Sequence, residues 1–417
     1  MEVQIQARTP LDDPARDVRD ELAARAGIVE PPDKIWFHKT AAAVIEAGRC
    51  VGCAGCLAAC PSGSIGIADD GRPTLVRMCT GCSSCWDFCP LAGLRTERLQ
   101  RIACAGNGHR SPQGELGSVR AAYYARAREP VPLAQDGGVV TALLTALLGA
   151  GHIQGAIVAR RRNAFSGQSV LATTRAELEE AAGSVYDQSL PLSLLARPLP
   201  SGIDSVALVG TPCQVSVLRA LQRFPWPYRR AAVGAVTLAI SLFCTRSFDP
   251  GRLKRALAGR GVDPKRVTRV AVRDDRLAVV VESGERLAVG RVGEFAQAGL
   301  SGCDECADFG GRLADLSLGN CGSPAGFTTV IVRTEAGEAA WRAAARALDW
   351  HPLSDLGPVA RQERRNRRRA LRHLRRSYSP EGSLWISYSE HLRAYGGSDR
   401  APVAPPPHRS HHYRISC

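Results

Sequence analysis

Eight cysteines in the first quarter of the chain form two runs with the same spacing. Each run reads Cys-x2-Cys-x2-Cys-x3-Cys and is followed directly by a proline, Pro61 or Pro90. Thiolates are ligands for soft metals, and closely spaced thiolates can surround one inorganic cluster. The candidate ligands are Cys50, Cys53, Cys56 and Cys60 in the first run and Cys79, Cys82, Cys85 and Cys89 in the second.

This spacing is typical of a bacterial-type ferredoxin module with two 4Fe–4S clusters, in which the fourth cysteine of each run ligates the other cluster. Zinc is the main alternative, although zinc motifs usually supply cysteines as separated pairs. A disulfide framework fits less well. The sequence therefore predicts an electron-transfer chain, with one cluster on Cys50, Cys53, Cys56 and Cys89 and another on Cys79, Cys82, Cys85 and Cys60.

Four further cysteines lie where predicted strands or turns end. Cys213 and Cys244 each follow a predicted strand, and Cys303 and Cys306 form a separate Cys-x2-Cys pair. If the two strands are neighbours, these thiols could form a four-thiolate site at one edge of the sheet. The alternative is a buried free thiol at Cys213 and at Cys244, since cysteine often packs as a small hydrophobic residue. Cys104, Cys321 and Cys417 have no evident partner.

Two glycine-containing turns are candidates for binding a phosphate-bearing cofactor. Glycine lets the backbone approach an anion, and amides at a helix N-terminus favour negative charge. An ordinary strand-to-helix turn is the competing interpretation. The first turn precedes a predicted helix and the second follows a predicted strand, and the candidate residues are Asp136, Gly137, Gly138, Val139 and Thr141 in the first and Thr211 and Pro212 in the second. His152 and Tyr186 are as well explained as structural groups.

Alternating strand and helix patterns predict an α/β fold, a mixed sheet covered by helices, beside a small α+β dicluster ferredoxin domain. Predicted helices lie near 138–148, 213–222, 251–260 and 338–348, and predicted strands near 153–159, 205–209, 236–243, 267–272, 277–281 and 328–332, all in one sheet. The expected organisation is a helical N-terminal extension (1–45), the ferredoxin domain (46–98), two parts of the larger domain (118–200 and 201–350), a basic helical segment (351–395) and a disordered tail (396–417).

The net charge of +14 comes almost wholly from arginine, and nine of the sixteen residues from Arg361 to Arg376 are arginine. Solvated surface is one interpretation. The other is a basic amphipathic helix on which an acidic redox partner docks. Nucleic acid binding is less favoured, because no aromatic platform accompanies the arginines. No apolar signal region or membrane-spanning stretch is recognisable, so we expect a cytoplasmic protein.

Several blocks resemble the coenzyme F420 hydrogenase/dehydrogenase beta subunit family. They are Gln135–Leu144, Gly210–Gln214, Leu242–Cys244, Cys303–Phe309, Ala314–Gly319 and Thr328–Thr334, in the family's order and within roughly residues 121–348. The resemblance implies an FAD-binding α/β domain with a third 4Fe–4S cluster on Cys213, Cys244, Cys303 and Cys306. It also implies FAD contacts from the segment of Gly137, Gly138 and Thr141 and from Thr211. Asn320-Cys321, after Gly319, departs from the family's pattern.

The predicted function is an iron–sulfur flavoprotein oxidoreductase. It passes electrons between ferredoxin-type clusters and FAD and exchanges hydride with coenzyme F420 or with a specific organic substrate. A flavin suits this position because it accepts both single electrons and hydride. The alternative is a non-catalytic electron-transfer subunit of a larger dehydrogenase, hydrogenase or reductase complex. The expected partner is a ferredoxin or a catalytic subunit, and the sequence singles out no acid/base residue.

Overall fold

The computed structural model describes residues 35–94, 96, 99–100, 115–223, 232–273, 275–373, 385–386, 388–395 and 397–398. Within these ranges, no helix is long and apolar enough to cross a membrane. Most of the predicted N-terminal extension, nearly all of the predicted tail, and Cys104 and Cys417 lie outside the described residues.

The two cysteine runs fold in the same way. Each run has a left-handed glycine (Gly52, Gly81) and, two residues later, a left-handed non-glycine residue (Ala54, Ser83) that precedes a short helix. Left-handed backbone is costly for a residue with a Cβ, so its occurrence at both equivalent positions marks a demanding turn. The elements of this module are α1 (Phe37–Thr40), a π-helical turn (Ala41–Glu46), α2 (Gly55–Ala59), the hairpin β1 (Ile65–Ile67) and β2 (Pro73–Leu75), and α3 (Ser84–Asp87).

The larger domain is built on an eight-stranded mixed sheet, which confirms the predicted fold class. Its strands are β3 (Ala121–Ala127), β4 (Gly155–Asn163), β5 (Ser166–Ala172), β6 (Val206–Gly210), β7 (Val236–Leu242), β11 (Leu316–Gly319), β12 (Thr328–Val332) and β13 (Leu348–Pro352), and the sheet order is β13-β3-β12-β11-β7-β6-β4-β5. The central strands β11, β7, β6 and β4 are parallel, and the outer pairs are antiparallel.

Helices cover both faces of this sheet. The larger domain contains α4 (Val139–Gly149), α5 (Arg175–Glu180), α6 (Pro212–Arg223), α7 (Pro250–Ala258) and α8 (Glu335–Ala344), followed by α9 (Gly357–Arg372) and α10 (Tyr388–Tyr395). Successive strand residues face opposite sides, so Ala207 packs in the core with α4 and α8 while Leu208 packs in the core with α6. The second of these cores also contains Leu57 and Phe88 of the cysteine module. The module is therefore part of the layer that covers one face of the sheet.

One prediction about the sheet was wrong. Residues 267–272 and 277–281 do not join the main sheet. They form β8 (Val267–Arg273) and β9 (Arg276–Val281) of a separate three-stranded antiparallel sheet completed by β10 (Arg286–Arg291). Local hairpin pairing satisfies the backbone groups of these strands, and Val270, Leu277 and Val279 form their own core with Phe248 and Phe295. Their sequence pattern indicates strands but does not specify which sheet they join.

Helix boundaries follow capping chemistry more closely than apolar spacing. The predicted helix near 338–348 begins at Glu335, because the Thr334 hydroxyl accepts a hydrogen bond from the Gly337 amide at 3.1 Å. It ends at Ala344, and Leu348 already begins β13. Sequence reasoning overlooked β3, β5 and β13. Two of these, β13 and β5, are the edge strands of the sheet, where one-sided burial weakens the alternating pattern.

A buried carboxyl beside β5 predicts a pH dependence of stability. Asp187 accepts both of its hydrogen bonds from the Gly167 amide at 3.1 Å, and burial raises its pKa to about 6, although the Gly167 amide and the nearby Arg162 charge lower it. Because the folded pKa exceeds the unfolded one, the stabilisation is complete below about pH 4 and is lost as pH rises through about 6.

We therefore expect Asp187→Asn to raise the unfolding free energy by about 1–2 kcal/mol at pH 8 and by much less at pH 5. Thermal melts of the variant and the unaltered chain at both pH values measure the difference. An equal difference at the two pH values would show that Asp187 ionises in the folded chain as it does in the unfolded one.

Candidate functional site

The eight cysteines of the N-terminal module lie in two groups. Burial is the main cause that raises the pKa of these thiols, and neighbouring thiols add to it. For Cys53 the neighbours are Cys89 and Cys50, whereas for Cys85 they are Cys82, Cys79 and Cys60. This is the crossed grouping that the spacing predicts. The assignment of these thiols as cluster ligands stays a prediction.

Backbone amides point at several of these sulfurs. The Ser64 amide donates to Cys60 Sγ at 3.3 Å, the Gly81 amide to Cys79 Sγ at 3.4 Å and the Gly55 amide to Cys53 Sγ at 3.5 Å. Such N–H···S bonds favour negative charge on sulfur and tune the reduction potential of a thiolate-bound cluster. The loops are therefore built to stabilise thiolate, although the empty loops bury the thiols.

The remaining four candidate thiols line one pocket at the edge of the main sheet. Strands β6 and β7 are parallel neighbours, so Cys213 and Cys244, which follow their carboxyl ends, lie at the same edge. The 3-10 turn Ser301–Asp304 carries Cys303 to this pocket, and Cys306 lies just beyond it. Burial is the main cause of the raised pKa of each of these thiols. A four-thiolate site at this edge is the arrangement that the sequence predicted.

The spacing of these thiols favours a cluster over a single ion. In the described part of the chain, no group of three or more His, Cys, Asp or Glu side chains could hold one metal ion. Zinc requires sulfurs about 2.3 Å from the metal, which brings four thiolates close together. Four thiols that share a pocket but do not converge to that degree fit a larger inorganic core. The donor set is thus suited to a third iron–sulfur cluster.

Two predicted flavin contacts lie at this thiol pocket instead of at the other glycine turn. Thr211 and Pro212 both line the pocket, and Thr211 Oγ1 is 3.2 Å from Cys213 Sγ. The Thr211 amide donates to Gln214 Oε1 at 2.8 Å, which closes the turn before α6. In this structure Thr211 therefore contacts a candidate cluster ligand directly. Its assignment to the flavin stays a prediction.

The arginine-rich segment covers the thiol pocket, which sequence reasoning did not foresee. On α9, Glu363, Asn366 and Ala370 form a buried face. Asn366 Nδ2 donates to the Cys244 carbonyl at 3.2 Å, and Glu363 Oε2 accepts from the amides of Phe309 and Gly310, each at 3.0 Å. One face of α9 thus belongs to the site. The polar spacing of Glu363 and Asn366 within the arginine run was the available signal.

The same helix brings a guanidinium next to the cysteine backbone. Arg369 Nη2 donates to the carbonyls of Thr245 at 2.8 Å and Cys303 at 3.1 Å. A second buried cation, Arg246, lies beside it and pairs with Asp304 at 3.2 Å. Both charges lower the pKa of Cys303 in opposition to burial. The pocket therefore holds two positive groups that would favour electron-rich ligands.

The opposite face of α9 is exposed. Arg361, Arg365, Arg368 and Arg372 recur at helical spacing on this face, and no carboxylate in the described ranges pairs with any of them. Docking of an acidic partner on these four arginines stays a prediction. It now concerns the outer face of the helix alone.

The Asp136–Thr141 segment lies at the same edge of the sheet, beside the carboxyl end of β3. Gly138 has a φ of +67° and is the N-cap of α4, and no side chain caps the helix. A Cβ at Gly137 would lie 2.6 Å from the Ala125 carbonyl oxygen, so packing against β3 already requires glycine there. Val139 and Thr141 are buried along α4. The predicted role of these residues in binding FAD is not decided by this packing.

A hydrogen-bond network connects this segment to the small sheet. The Asp136 carboxylate pairs with Arg273 and accepts from Asn320 Nδ2 at 2.8 Å. Asn320 also donates to the Val272 carbonyl at 2.9 Å, and the Val272 amide donates to the Tyr186 hydroxyl at 2.9 Å. Asn320, the departure from the family's pattern, thus links the turn to β8. Tyr186 is a hydrogen-bonded structural group in this network.

An α/β domain with a covered mixed sheet, carrying a dicluster module, defines an iron–sulfur electron-transfer protein of the oxidoreductase class. Residues 42–91 match the 4Fe-4S dicluster domain. Residues 122–196 and 203–355 match the N-terminal and C-terminal parts of the coenzyme F420 hydrogenase/dehydrogenase beta subunit. The chain belongs to this beta subunit family, as its sequence predicted.

The relatives include both subunits and a larger enzyme. The chain is 31% identical over 251 residues to the coenzyme F420 hydrogenase subunit beta of Methanothermobacter thermautotrophicus, a match that covers 58% of this chain and 88% of that one. It is 32% identical over 308 residues to the coenzyme F420-dependent sulfite reductase of Methanocaldococcus jannaschii, covering 71% of this chain and 46% of that protein. The chain thus spans about half the length of the sulfite reductase.

A solved structure has the same fold. A chain of the F420-reducing [NiFe] hydrogenase complex from Methanosarcina barkeri aligns with a TM-score of 0.58 and 27% identity, covering 63% of this chain and 93% of that chain. The family match ends at residue 355, so α9, which covers the thiol pocket, lies beyond it.

Proposed function

We propose that this protein is an iron–sulfur flavoprotein that exchanges hydride with coenzyme F420 and transfers the electrons singly to a redox partner protein. The observation that carries the proposal is the arrangement of one sheet edge. The thiol pocket lies at the carboxyl ends of β6 and β7, and the Gly137–Gly138 turn lies at the same edge beside β3. Ligands of open α/β sheets bind outside the carboxyl ends of strands.

The chain's own residues supply binding, positioning and charge. Cys213, Cys244, Cys303 and Cys306 would hold the third cluster, and the amides at the start of α4 would face the phosphates of FAD. A bound flavin supplies the conversion between one hydride and two single electrons, which clusters carry one at a time. Asp136 is held by Arg273 and Asn320, so this turn is rigid before any cofactor binds.

A second function is supported by the names and lengths of the relatives. Two of them are hydrogenase or dehydrogenase subunits, and the match covers 46% of the sulfite reductase. In this alternative the chain only transfers electrons within a complex, and another protein performs the terminal reduction. The partner would be a ferredoxin or a catalytic subunit.

The test is an anaerobic visible spectrum of the iron-replete chain before and after addition of reduced coenzyme F420. We expect flavin and cluster absorbance to bleach together, because hydride enters at the flavin and electrons spread to the clusters. The control is reduced ferredoxin, which should bleach the same bands. Bleaching by ferredoxin without bleaching by reduced F420 would contradict the proposed substrate. A spectrum without flavin would favour the electron-transfer subunit.

A further inference from the structure

A buried ion pair joins the cysteine module to the third thiol pocket. Arg49 immediately precedes Cys50, and Glu305 lies between Cys303 and Cys306. Arg49 Nε donates to Glu305 Oε1 at 2.7 Å and Nη2 donates to Oε2 at 2.6 Å, which is bidentate geometry. The two side chains are 0% and 8% exposed. The pair therefore connects two cysteine loops that are about 250 residues apart in sequence.

The backbones of these loops are also in contact. A Cβ added at Gly302 would lie 1.9 Å from the Arg49 carbonyl oxygen, closer than any real contact of that kind. The Ser301 hydroxyl donates to the Gly48 carbonyl at 2.6 Å. Glycine at 302 is thus required by the approach of the other loop, and the two loops pack without an intervening side chain.

The thiols behind these loops are neighbours. After burial, charge on Cys53 is the largest cause that raises the pKa of Cys213. Val51, Pro90 and Leu91 of the cysteine module line the pocket of Cys213, Cys244, Cys303 and Cys306. The first predicted cluster site and the third therefore share a wall, and the Arg49–Glu305 pair lies at that wall.

The energetics of buried ion pairs favour a geometric role for this one. A buried pair is rarely more stabilising than well-packed apolar side chains of similar volume, because both charges lose water. Fixing two elements in one arrangement is the best-attested use of such pairs. Arg49 Nη1 also donates to the Ala43 carbonyl at 2.8 Å, which ties the pair to the π-helical turn.

We propose that Arg49 and Glu305 are positioning residues that set the separation between the cysteine module and the third thiol site for electron transfer. The inference rests on the proposed function, since it assumes a cluster at each site. One electron crosses the wall, so that one site is oxidised by one electron and the other is reduced by one. No bond forms or breaks and no proton moves.

The variants are Glu305→Gln, which keeps the shape and removes one charge, and the double variant Arg49→Gln/Glu305→Gln, which leaves no unpaired charge. The matched control is Arg219→Gln, because Arg219 forms a buried pair with Asp315 at 2.5 Å that joins α6 to the loop before β11. Three quantities are measured for each protein: iron content, magnetic coupling between the reduced clusters in the EPR spectrum, and the rate of internal electron redistribution after a one-electron pulse of reductant.

In Glu305→Gln and in the double variant we expect unchanged iron, weaker coupling, and redistribution slowed by roughly ten- to a hundredfold, as in other reactions that depend on positions within about 1 Å. Arg219→Gln should change stability but neither coupling nor rate. Unchanged coupling and rate in both iron-replete variants would overturn the proposal. Loss of iron in both would also overturn it, because the pair would then serve cluster assembly.

The unaltered chain separates this proposal from the proposed function. Coupled clusters without bleaching by reduced F420 would contradict the F420 activity and leave the positioning role standing. An unaltered chain with iron for two clusters and no third would remove the basis of both.

Discussion

Replacing Cys303 with serine is expected to remove about a third of the bound iron, from about twelve atoms per chain to about eight, because three clusters of four irons would become two. Cys303 is buried in the thiol pocket, and its Sγ accepts a hydrogen bond from the Ser247 amide at 3.4 Å. Serine keeps the size of the side chain but replaces the soft thiolate with a hydroxyl, which binds iron poorly. Internal electron transfer between the flavin and the cysteine module should be lost as well.

The measurement is iron and acid-labile sulfide per chain, together with the EPR spectrum after reduction. The matched control is Cys321→Ser, because Cys321 lies in the same domain, after β11, but does not line the thiol pocket. The control should keep all its iron. Equal iron in Cys303→Ser and the unaltered chain would rule out a third cluster on these cysteines.

Replacing Arg369 with glutamine is expected to lower the reduction potential of the third cluster. Its guanidinium donates to the Cys303 carbonyl at 3.1 Å and lies beside Arg246. A positive charge stabilises the reduced, more negative state of a cluster. At an effective dielectric constant of about 20, removing one charge several ångströms away costs about 1–2 kcal/mol, which is roughly 40–90 mV for one electron.

A redox titration followed by EPR measures the shift. Arg369→Lys should keep most of the potential because it keeps the charge. The matched control is Arg365→Gln, which removes a charge from the exposed face of the same helix, where water screens it. A potential that moves equally in Arg365→Gln and Arg369→Gln would mean that net charge matters and position does not.

The arginine helix shows why such a role could not be derived from composition. An arginine run in a sequence is compatible with solvated surface, a docking face or a buried charge. In the folded chain, Glu363 and Asn366 turn one face of α9 toward Phe309, Gly310 and Cys244. That contact depends on where the helix lies after residue 355, and no local pattern encodes it.

The sequence by itself determined the chemistry of this protein. Ligand spacing is local, because the cysteines of a run must curl around one cluster within a few residues. The runs at 50–60 and 79–89 therefore specified electron transfer, and alternating strands and helices specified the α/β class. The thiol site at the ends of β6 and β7 was also accessible, since parallel neighbours end at the same edge.

Only the tertiary structure decided how these parts meet. Strand identity did not reveal that β8 and β9 leave the main sheet, because hydrogen-bond partners are chosen between distant segments. Likewise, Arg49 and Glu305 are unremarkable polar residues in the sequence, and their pairing exists only because two loops are brought into backbone contact at Gly302. Contacts of high sequence separation depend on the packing of the whole chain, and the connection between the cluster sites is such a contact.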